Sequence, residues 1–437
     1  MWSRILYSNQ MQFRRVRVLI FLISSFELTA GVLASRALAS ALTWEECVQQ
    51  TETQNPDLRS ALESFKSADL QVTVAWSAFS PQVSAQAGTS YQPPALGFPE
   101  STYDTLSLNA TQSIFNGFAD KARIDSNVAA REVARTTLEI TRSRVSYDLK
   151  SAFESLRYAL DNVRLTEDIT KRREESYKLV QLRFESGREN KGSALLSKAN
   201  LAQAKFDALQ ARDSVLVARA QLAHVLDRDP TSEFEITGTI PVSEPDARAL
   251  QGDLPKIALQ TPTYRQAVAQ YDSADAGVLS AESAFMPTLS ATAGFGEQGT
   301  AWSTLNAQWS FGLTMNWSVF SGGHDYFNTK SALAQRSAAA LSQQSTNQQL
   351  IITLQQNLTA FVEAVENLKV SESFLEAETV RAEISRAQYN NGLLSFEDWD
   401  IIENDLITRQ KNELQSRRDR VISEAAWEQA QGKGVLK

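Results

Sequence analysis

The sequence Leu106-Ser-Leu-Asn-Ala-Thr-Gln-Ser-Ile-Phe115-Asn-Gly117 has a second copy, Leu313-Thr-Met-Asn-Trp317-Ser-Val-Phe320-Ser-Gly322. In both copies apolar and polar residues alternate up to a phenylalanine, and a glycine follows two residues later. Such alternation predicts a β-strand with two unlike faces. Beyond each glycine about 70 residues follow without a proline, which predicts a long helix. The chain is therefore expected to join a strand to a long helix twice.

Other landmarks repeat at the same distance. Asn55-Pro56 corresponds to Thr261-Pro262, Phe79-Ser-Pro81 corresponds to Phe285-Met-Pro287, and Gly187 corresponds to Gly392. Self-similarity at one fixed spacing indicates a tandem duplication. We therefore divide the chain into a first repeat at 40–230, a linker at 231–255 and a second repeat at 256–437.

Each repeat is expected to contain the same elements in the same order. An opening helix is followed by a β-hairpin, a long helix, a turn that we call the tip turn, and a last helix. The hairpins are predicted at 81–115 and 287–320, and the tip turns at 185–192 and 389–396. The opening helix of the first repeat is expected to run from Thr43 to about Ala78, with a kink at Asn55-Pro56. The linker is expected to hold a short strand or a helix.

The first 39 residues differ from the rest of the chain. Arg14, Arg15 and Arg17 precede an apolar run, and Ala37-Leu-Ala39 follows it, which is the order of a secretory signal peptide. Either Met1 or Met11 is compatible with that pattern as the start. The net charge of −8 makes nucleic acid an unsuitable partner for an exported protein.

The sequence shows no sign of enzyme or cofactor chemistry. Cys47 is the single cysteine, so no intrachain disulfide is possible. Glu46 precedes it where a lipid-anchor site needs a small residue, and we expect Cys47 to be a small buried group on a helix. The two histidines, His224 and His324, lie far apart in the sequence and do not suggest a metal site. We predict no catalytic residue, no metal and no cofactor.

Only four strands are predicted. Taken alone, their alternation favours a soluble sandwich, but two further facts favour a membrane barrel instead. Four strands cannot close on themselves, because the smallest membrane barrels have eight. An open sheet edge is not tolerated in lipid. If these strands meet a membrane, several chains must therefore share one barrel, with eight strands from two chains or twelve from three.

The long helices, each roughly 100 Å at ~1.5 Å per residue, are expected to continue such a barrel as a tube. Two shorter helices placed end to end match one long helix in length. A periplasmic or surface coiled-coil protein without channel activity is the alternative, and it explains the helices but not the two amphipathic hairpins.

The order of these landmarks resembles the TolC family of outer membrane efflux proteins. The resemblance rests on the duplicated Asn/Thr-Pro helix start, the proline before each first strand, the Phe-x-Gly after each second strand, and the Phe/Tyr-x-x-Gly of each tip turn. It implies a mainly α fold with a small membrane β part. Three chains would share a twelve-stranded barrel, four strands each, that continues as a long α-helical barrel into the periplasm.

The resemblance also implies a function. Such a homotrimer in the Gram-negative outer membrane is the exit duct of a tripartite efflux or type I secretion system. It would dock a periplasmic adaptor protein and an inner-membrane transporter. Drugs, metals and polypeptides all leave cells through ducts of this kind, because the transporter selects the substrate.

Three groups of site residues follow from the resemblance. The adaptor would dock at the tip, on Gly187, Gly392, Leu393 and Ser395. The periplasmic gate would include Tyr389 and Asp398, although Asp398 also fits an ordinary acid at a helix N-terminus. The membrane barrel would meet the helices at Phe115, Gly117, Phe320 and Gly322. The first tip turn has Gly187-Arg-Glu where the family has Gly-Leu, and Leu394 stands where some members have an arginine.

Overall fold

The computed structural model describes residues 41–94, 100–243, 247–300, 302 and 306–436, and of residues 247–252 only the backbone. The predicted signal peptide at 1–39 lies outside the described residues. The described part is mainly helical, with one small sheet. In this part of the chain, no helix combines the length and the apolar character that crossing a membrane requires.

The elements follow the expected order. The helices are α1 (Trp44–Gln54), α2 (Pro56–Trp76), α3 (Ala119–Glu185), α4 (Lys191–Val225), α5 (Ala247–Gln260), α6 (Pro262–Glu282), α7 (His324–Asn390) and α8 (Phe396–Ala430). The strands are β1 (Gln82–Gln92), β2 (Ser101–Asn116), β3 (Thr288–Gly299) and β4 (Asn306–Asn316). One 3-10 turn precedes each hairpin, at Ser77–Phe79 and Ser283–Phe285.

Matching helices have equal lengths. Helices α3 and α7 each have 67 residues, α4 and α8 each have 35, and α2 and α6 each have 21. Positions in the first half correspond to positions 206 residues later before the hairpin and 205 residues later after it.

Several predicted boundaries differ from the structure. The opening helix is two helices, because Asn55 leaves the helical conformation and caps α2, with its side chain accepting from the Leu58 amide at 3.1 Å. Helix α5 begins inside the predicted linker. Strand β4 ends at Asn316, so the residues up to Phe320 are not part of the sheet. The tip turns are shorter than predicted, at 186–190 and 391–395.

All four strands form one antiparallel sheet in the order β1-β2-β3-β4. The two hairpins are joined because β2 pairs with β3, for example Leu108 with Phe295. The register shifts between Ser113 and Phe115, which is a β-bulge. Strands β1 and β4 are the edges of this sheet, since each pairs with one described neighbour.

The helices form one layer whose order continues that of the sheet. On the sheet side of the layer the order is α2-α3-α6-α7, and on the tip side it is α4-α3-α8-α7. Helices α3 and α7 therefore run the whole length of the helical layer. The shorter helices α2 and α4 lie end to end beside α3, and α6 and α8 lie end to end between α3 and α7. Helices α2 and α4 form one edge of the layer, and α7 forms the other.

The largest core cluster lies where α1 packs on α3 and α4. Trp44 meets Phe153 edge to face at 5.3 Å, and Cys47 and Leu222 are fully buried beside them. Burial raises the pKa of the Cys47 thiol to about 11. A thiol enclosed in this way is a small buried packing group, as expected.

Candidate functional site

The junction between sheet and helix has the same backbone in both repeats. Gly117 and Gly322 have φ of 68° and 66°, and the next residues, Phe118 and Gly323, have φ of 72° and 88°. Two successive residues in the left-handed region turn the chain from the strand into the helix. The phenylalanine Phe118 tolerates this conformation while its ring packs edge to face on Phe115 at 5.3 Å.

The first turn of each long helix is capped in the same way. The Asn116 side chain accepts from the Asp120 amide at 3.2 Å, and the Ser321 hydroxyl accepts from the Asp325 amide at 3.3 Å. These bonds satisfy one of the free amides at each helix start. The position was not among the predicted site residues, although Asn and Ser are common capping residues.

The two junction glycines have different surroundings. A Cβ atom on Gly117 would lie 2.5 Å from the Ser283 carbonyl oxygen and 2.9 Å from Met286 Cβ. A Cβ atom on Gly322 would meet no atom within 4 Å. Position 117 therefore needs a glycine both for its left-handed backbone and for the close approach of the Ser283 backbone. Within this chain, position 322 needs a glycine for its left-handed backbone alone.

The predicted interface residues also differ in burial. Phe115 lies in β2, paired with Leu289. Phe320 lies beyond β4 and is 86% exposed, and the apolar residues on one face of β4 are 65–81% exposed, namely Trp309, Phe311, Leu313 and Met315. A contiguous exposed apolar face is typical of a surface that contacts a membrane or another protein.

Both tip turns are Schellman motifs. The Gly187 amide donates to the Phe184 carbonyl at 3.0 Å, and the Arg188 amide donates to the Arg183 carbonyl at 2.8 Å. The Gly392 and Leu393 amides repeat this pattern at 3.0 and 2.9 Å. The glycines are needed for their left-handed backbone, because the space beside each of them is open.

The next helices start with matched caps. Asn190 accepts from the Ser193 amide at 2.8 Å, and Ser395 accepts from the Asp398 amide at 3.1 Å. The Ser395 hydroxyl also donates to the Asp398 carboxylate at 2.8 Å. Asp398 is exposed in the first turn of α8, in the position that favours an acid because of the helix dipole.

Tyr389 lies inside the protomer at the tip and is 1% exposed. Its ring stacks on Trp399 at 4.4 Å, and the Arg183 guanidinium lies 4.3 Å from the same ring. Two groups this close cannot share one face, so they enclose the ring from both sides. Arg183 also donates to the Tyr389 carbonyl at 2.7 Å, and thereby caps the end of α7.

The Tyr389 hydroxyl donates to the Glu189 carboxylate at 3.2 Å. Burial is the main cause, together with the nearby Glu189 charge, that raises the pKa of this hydroxyl to about 12. The tyrosine therefore remains protonated, and the bond to Glu189 holds the first tip turn against the end of α7. Arg183, Glu189 and Trp399 were not among the predicted site residues. Arg183 and Glu189 lie about 200 positions before Tyr389, and no local pattern connects residues so far apart.

A buried ionic network lies further along the same helices. Arg173 of α3 donates to Asp400 of α8 at 2.9 Å, and Asn200 of α4 donates to the same oxygen at 2.9 Å. Asp400 thus joins three helices. The structure brings Tyr389 into contact with the first tip turn, whereas it places Asp398 apart at an exposed helix start.

Comparison with known proteins gives one consistent result. A family model described as outer membrane efflux protein matches residues 47–227 and 254–433, which together are more than half of the chain. The chain is 24% identical over 387 residues to the probable outer membrane lipoprotein SilC of Salmonella typhimurium, covering 85% of this chain and 81% of that protein.

Solved structures share the fold. The CmeC outer membrane channel of Campylobacter jejuni superposes with a TM-score of 0.80 at 17% identity, over 90% of this chain and 86% of that chain. The outer membrane protein VceC of Vibrio cholerae gives 0.79 at 18% identity, over 90% and 96%. The open state of the MtrE outer membrane channel of Neisseria gonorrhoeae gives 0.77 at 18% identity, over 90% and 89%.

The junction geometry yields a first prediction. Gly117→Ala is expected to lower the free energy of unfolding by about 2 to 4 kcal/mol, because it adds a clash with the Ser283 backbone to the cost of the left-handed conformation. Gly238 is the control, since its φ is 88° and the space beside it is open. Gly238→Ala is expected to cost about 1 kcal/mol. Urea unfolding of the purified proteins measures both, and equal losses would contradict the close approach at Gly117.

Proposed function

Because the chain belongs to the outer membrane efflux protein family, and is therefore an outer-membrane channel protein, we propose that three copies join edge to edge around one tunnel. This trimer passes substrates from an inner-membrane transporter and a periplasmic adaptor to the outside. The tip of the helical barrel is its gated entrance.

The family and the fold confirm several predictions from the sequence. These are the mainly helical fold with four strands per chain, the outer-membrane location and the efflux-channel function. They favour the channel over the coiled-coil structural protein. The relatives reported above are channel and outer-membrane proteins, in line with the prediction that the chain is not an enzyme.

The observation that carries the proposal is that the chain has two unlike edges. Strand β1 and helices α2 and α4 lie at one edge, and strand β4 and helix α7 lie at the other. Edge backbone groups in lipid must be paired. Since the edges differ, pairing β4 of one copy with β1 of the next is a head-to-tail contact, and such contacts form a closed ring when the rotation between copies closes.

Corresponding residues of the two repeats support this arrangement. On α8, Leu414 and Val421 are 9% and 4% exposed in the layer next to α3. Their counterparts on α4, Leu209 and Leu216, are 55% and 62% exposed. The apolar face that α8 buries inside the chain is therefore uncovered on α4, and α7 of a neighbouring copy is the matching cover.

The surroundings of the junction glycines support the same contact between neighbouring copies. Gly117 packs against the Ser283 carbonyl in the 3-10 turn of the second repeat. By the repeat, the equivalent neighbour of Gly322 is the turn Ser77–Phe79, which in a ring belongs to the next copy. The resemblance to the TolC family sets the number of copies at three, for twelve strands in all.

A cross-link tests the ring at residue level. Within the chain Ala110 of β2 pairs with Ala293 of β3. In the other repeat, Met315 of β4 corresponds to Ala110 and Ala87 of β1 corresponds to Ala293. Met315 of one copy is therefore expected to pair with Ala87 of the next. Paired Cα atoms in antiparallel strands lie about 4.5 to 5.5 Å apart, which suits a disulfide. In a Cys47→Ala background, Ala87→Cys with Met315→Cys is expected to yield covalent dimers and trimers on a non-reducing denaturing gel.

The matched control is Ala110→Cys with Ala293→Cys, which is expected to link within one chain. It should migrate as a monomer and lose both free thiols. A monomeric Ala87→Cys/Met315→Cys variant alongside an oxidised control would disprove the proposed neighbour.

At the tip, we assign Tyr389 and Asp398 to the gate. The bonds from Tyr389 to Glu189 and from Arg183 to the end of α7 support a gate in which the two tip turns of a protomer are held together. Three exposed Asp398 carboxylates around a narrow axis would attract cations and repel one another.

The adaptor is proposed to dock on Gly187, Gly392, Leu393 and Ser395. Leu393 is 77% exposed at the outermost point of the second turn, whereas Arg188 holds the corresponding position in the first turn. The second turn thus offers an apolar contact and the first a charged one, so the two turns would suit different parts of the adaptor.

Tyr389→Phe tests the hydrogen bond to Glu189 while keeping the stacking on Trp399. The loss of one buried bond, about 1 kcal/mol, is expected to raise the open probability of reconstituted channels several-fold. Single-channel recording measures it. An unchanged open probability would remove this bond from the gate.

Asp398→Asn tests the axial carboxylates. The variant is expected to weaken block by divalent cations in single-channel recordings, because three charges are lost from one ring. Glu397→Gln is the control, since Glu397 is the adjacent acid in the same first turn. Block that is unchanged in Asp398→Asn, or weakened equally in both variants, would leave Asp398 as a helix-capping acid only.

A further inference from the structure

Helices α3 and α8 meet along a seam that joins the two halves of one chain. Two residues of α3, eight positions apart, reach α8 across this seam. Lys150 donates to the Glu428 carboxylate at 2.7 Å, and the Tyr158 ring lies 4.6 Å below the Arg418 guanidinium. Glu154 lies midway between them. Residues spaced four apart share one helix face, so Glu154 faces the seam.

Glu154 is 1% exposed and only half satisfied. One carboxylate oxygen accepts from Arg157 at 2.6 Å. The other oxygen is buried and has no hydrogen-bond partner in the described part of the chain. A buried acceptor without a donor is costly, and more so when it carries charge. Protonation removes that charge while the bond from Arg157 can remain.

The charges around Glu154 come from both helices. On α3 these are Arg157 and Asp161, and from α8 Arg417 contributes, while Glu413 binds Arg417 as a competing partner. Burial dominates over the two arginines and raises the pKa of Glu154 to about 7. The side chain thus changes its charge near neutral pH, inside a helix contact.

The corresponding contact in the second repeat lacks this group. The counterpart of Glu154 is Thr359 on α7, whose hydroxyl accepts from Gln355 at 3.1 Å. The counterpart of Lys150 is Gln355 itself. The ionisable group therefore belongs only to the seam within the chain.

We propose that Glu154 is a proton-responsive joint: proton uptake by its carboxyl group strengthens the contact of α3 with α8 and stiffens the seam between the two repeats. Separating these two helices then costs more free energy in mildly acidic surroundings than at neutral pH. The seam lies within one chain, so this proposal does not depend on how many copies form the channel.

The direction follows from the raised pKa of Glu154. Below about pH 4.5 the group is protonated in both the folded and the unfolded chain, so it makes no difference to stability. Between about pH 4.5 and 7 the unfolded chain loses the proton first, so stability falls as the pH rises. Above pH 7 the carboxylate is charged in both states and the destabilisation is complete.

Glu154→Gln, which resembles the protonated group at every pH, tests this. The Tm of the detergent-solubilised full-length variant is expected to exceed that of the wild type by roughly 2 °C at pH 8. At pH 5 the two are expected to agree within about 1 °C. Taking the difference at each pH cancels the titration of all other groups. A Tm difference that is the same at pH 5 and pH 8 would overturn the proposal.

Glu403→Gln is the matched control. Glu403 is also buried and bound by an arginine, Arg386, at 2.6 Å, but away from Glu154. This variant is expected to lower the Tm at both pH values. A pH-dependent gain like that of Glu154→Gln would show that the effect is not specific to Glu154, and would overturn the assignment.

Infrared spectroscopy of the wild type provides a test that needs no variant to fold. A protonated carboxyl C=O band is expected to disappear with a midpoint near pH 7. The absence of any such band between pH 5 and 8 would refute the proposal. Where Glu154→Gln folds, the band should be missing from its spectrum.

Discussion

The backbone hydrogen bonds of the two edge strands are the constraint on which the whole architecture depends. Strand β1 pairs only with β2, and β4 only with β3 among the described residues. In a lipid phase unpaired amide and carbonyl groups cost several kcal/mol each, so the sheet cannot remain open there. The helices have the same order as the strands, so in the proposed ring the neighbour that completes the sheet would also cover the exposed faces of α4 and α7.

The two repeats have the same backbone conformation at corresponding positions, but their side chains differ. Both junctions have two left-handed residues and the same cap, yet only Gly117 has a close neighbour in its own chain. Both tip turns are Schellman motifs, yet one presents Arg188 and the other Leu393. The two repeats share a backbone conformation at these positions. The side chains that differ between them therefore indicate which neighbours each junction or tip turn contacts.

Buried charges distinguish the contact of α3 with α8 inside the chain from the corresponding contact proposed between α7 of one copy and α4 of the next. The contact of α3 with α8 holds Lys150, Glu154 and the Arg173–Asp400 pair. The corresponding residues on α7 include Gln355, Thr359 and Glu378. A buried charge is tolerated only opposite its partner, so the Lys150–Glu428 and Arg173–Asp400 pairs, which join α3 to α8, penalise any other helix in that place. Glu154 is bound by Arg157 of its own helix and does not select the partner helix. The ion pairs between α3 and α8 therefore favour a single register for the packing of the second repeat on the first.

Features that depend on neighbouring residues along the chain are predictable from the order of the amino acids. Alternation predicted the four strands, the runs without proline predicted the long helices, and the glycines marked the junctions and tip turns, because strand pattern, proline and positive φ are local properties. Helix ends were less predictable, as at Asn55 and at the start of α5.

Contacts between residues that are far apart in the sequence are visible only in the folded chain. The pairing of β2 with β3, the packing of Arg183 on Tyr389, and the pairing of Arg173 with Asp400 join residues about 170 to 230 positions apart. The resemblance to the TolC family groups Tyr389 with Asp398 at the gate, whereas the fold buries Tyr389 against Glu189 and leaves Asp398 exposed at a helix start. Such contacts depend on how the helices and strands pack, and no local pattern records them.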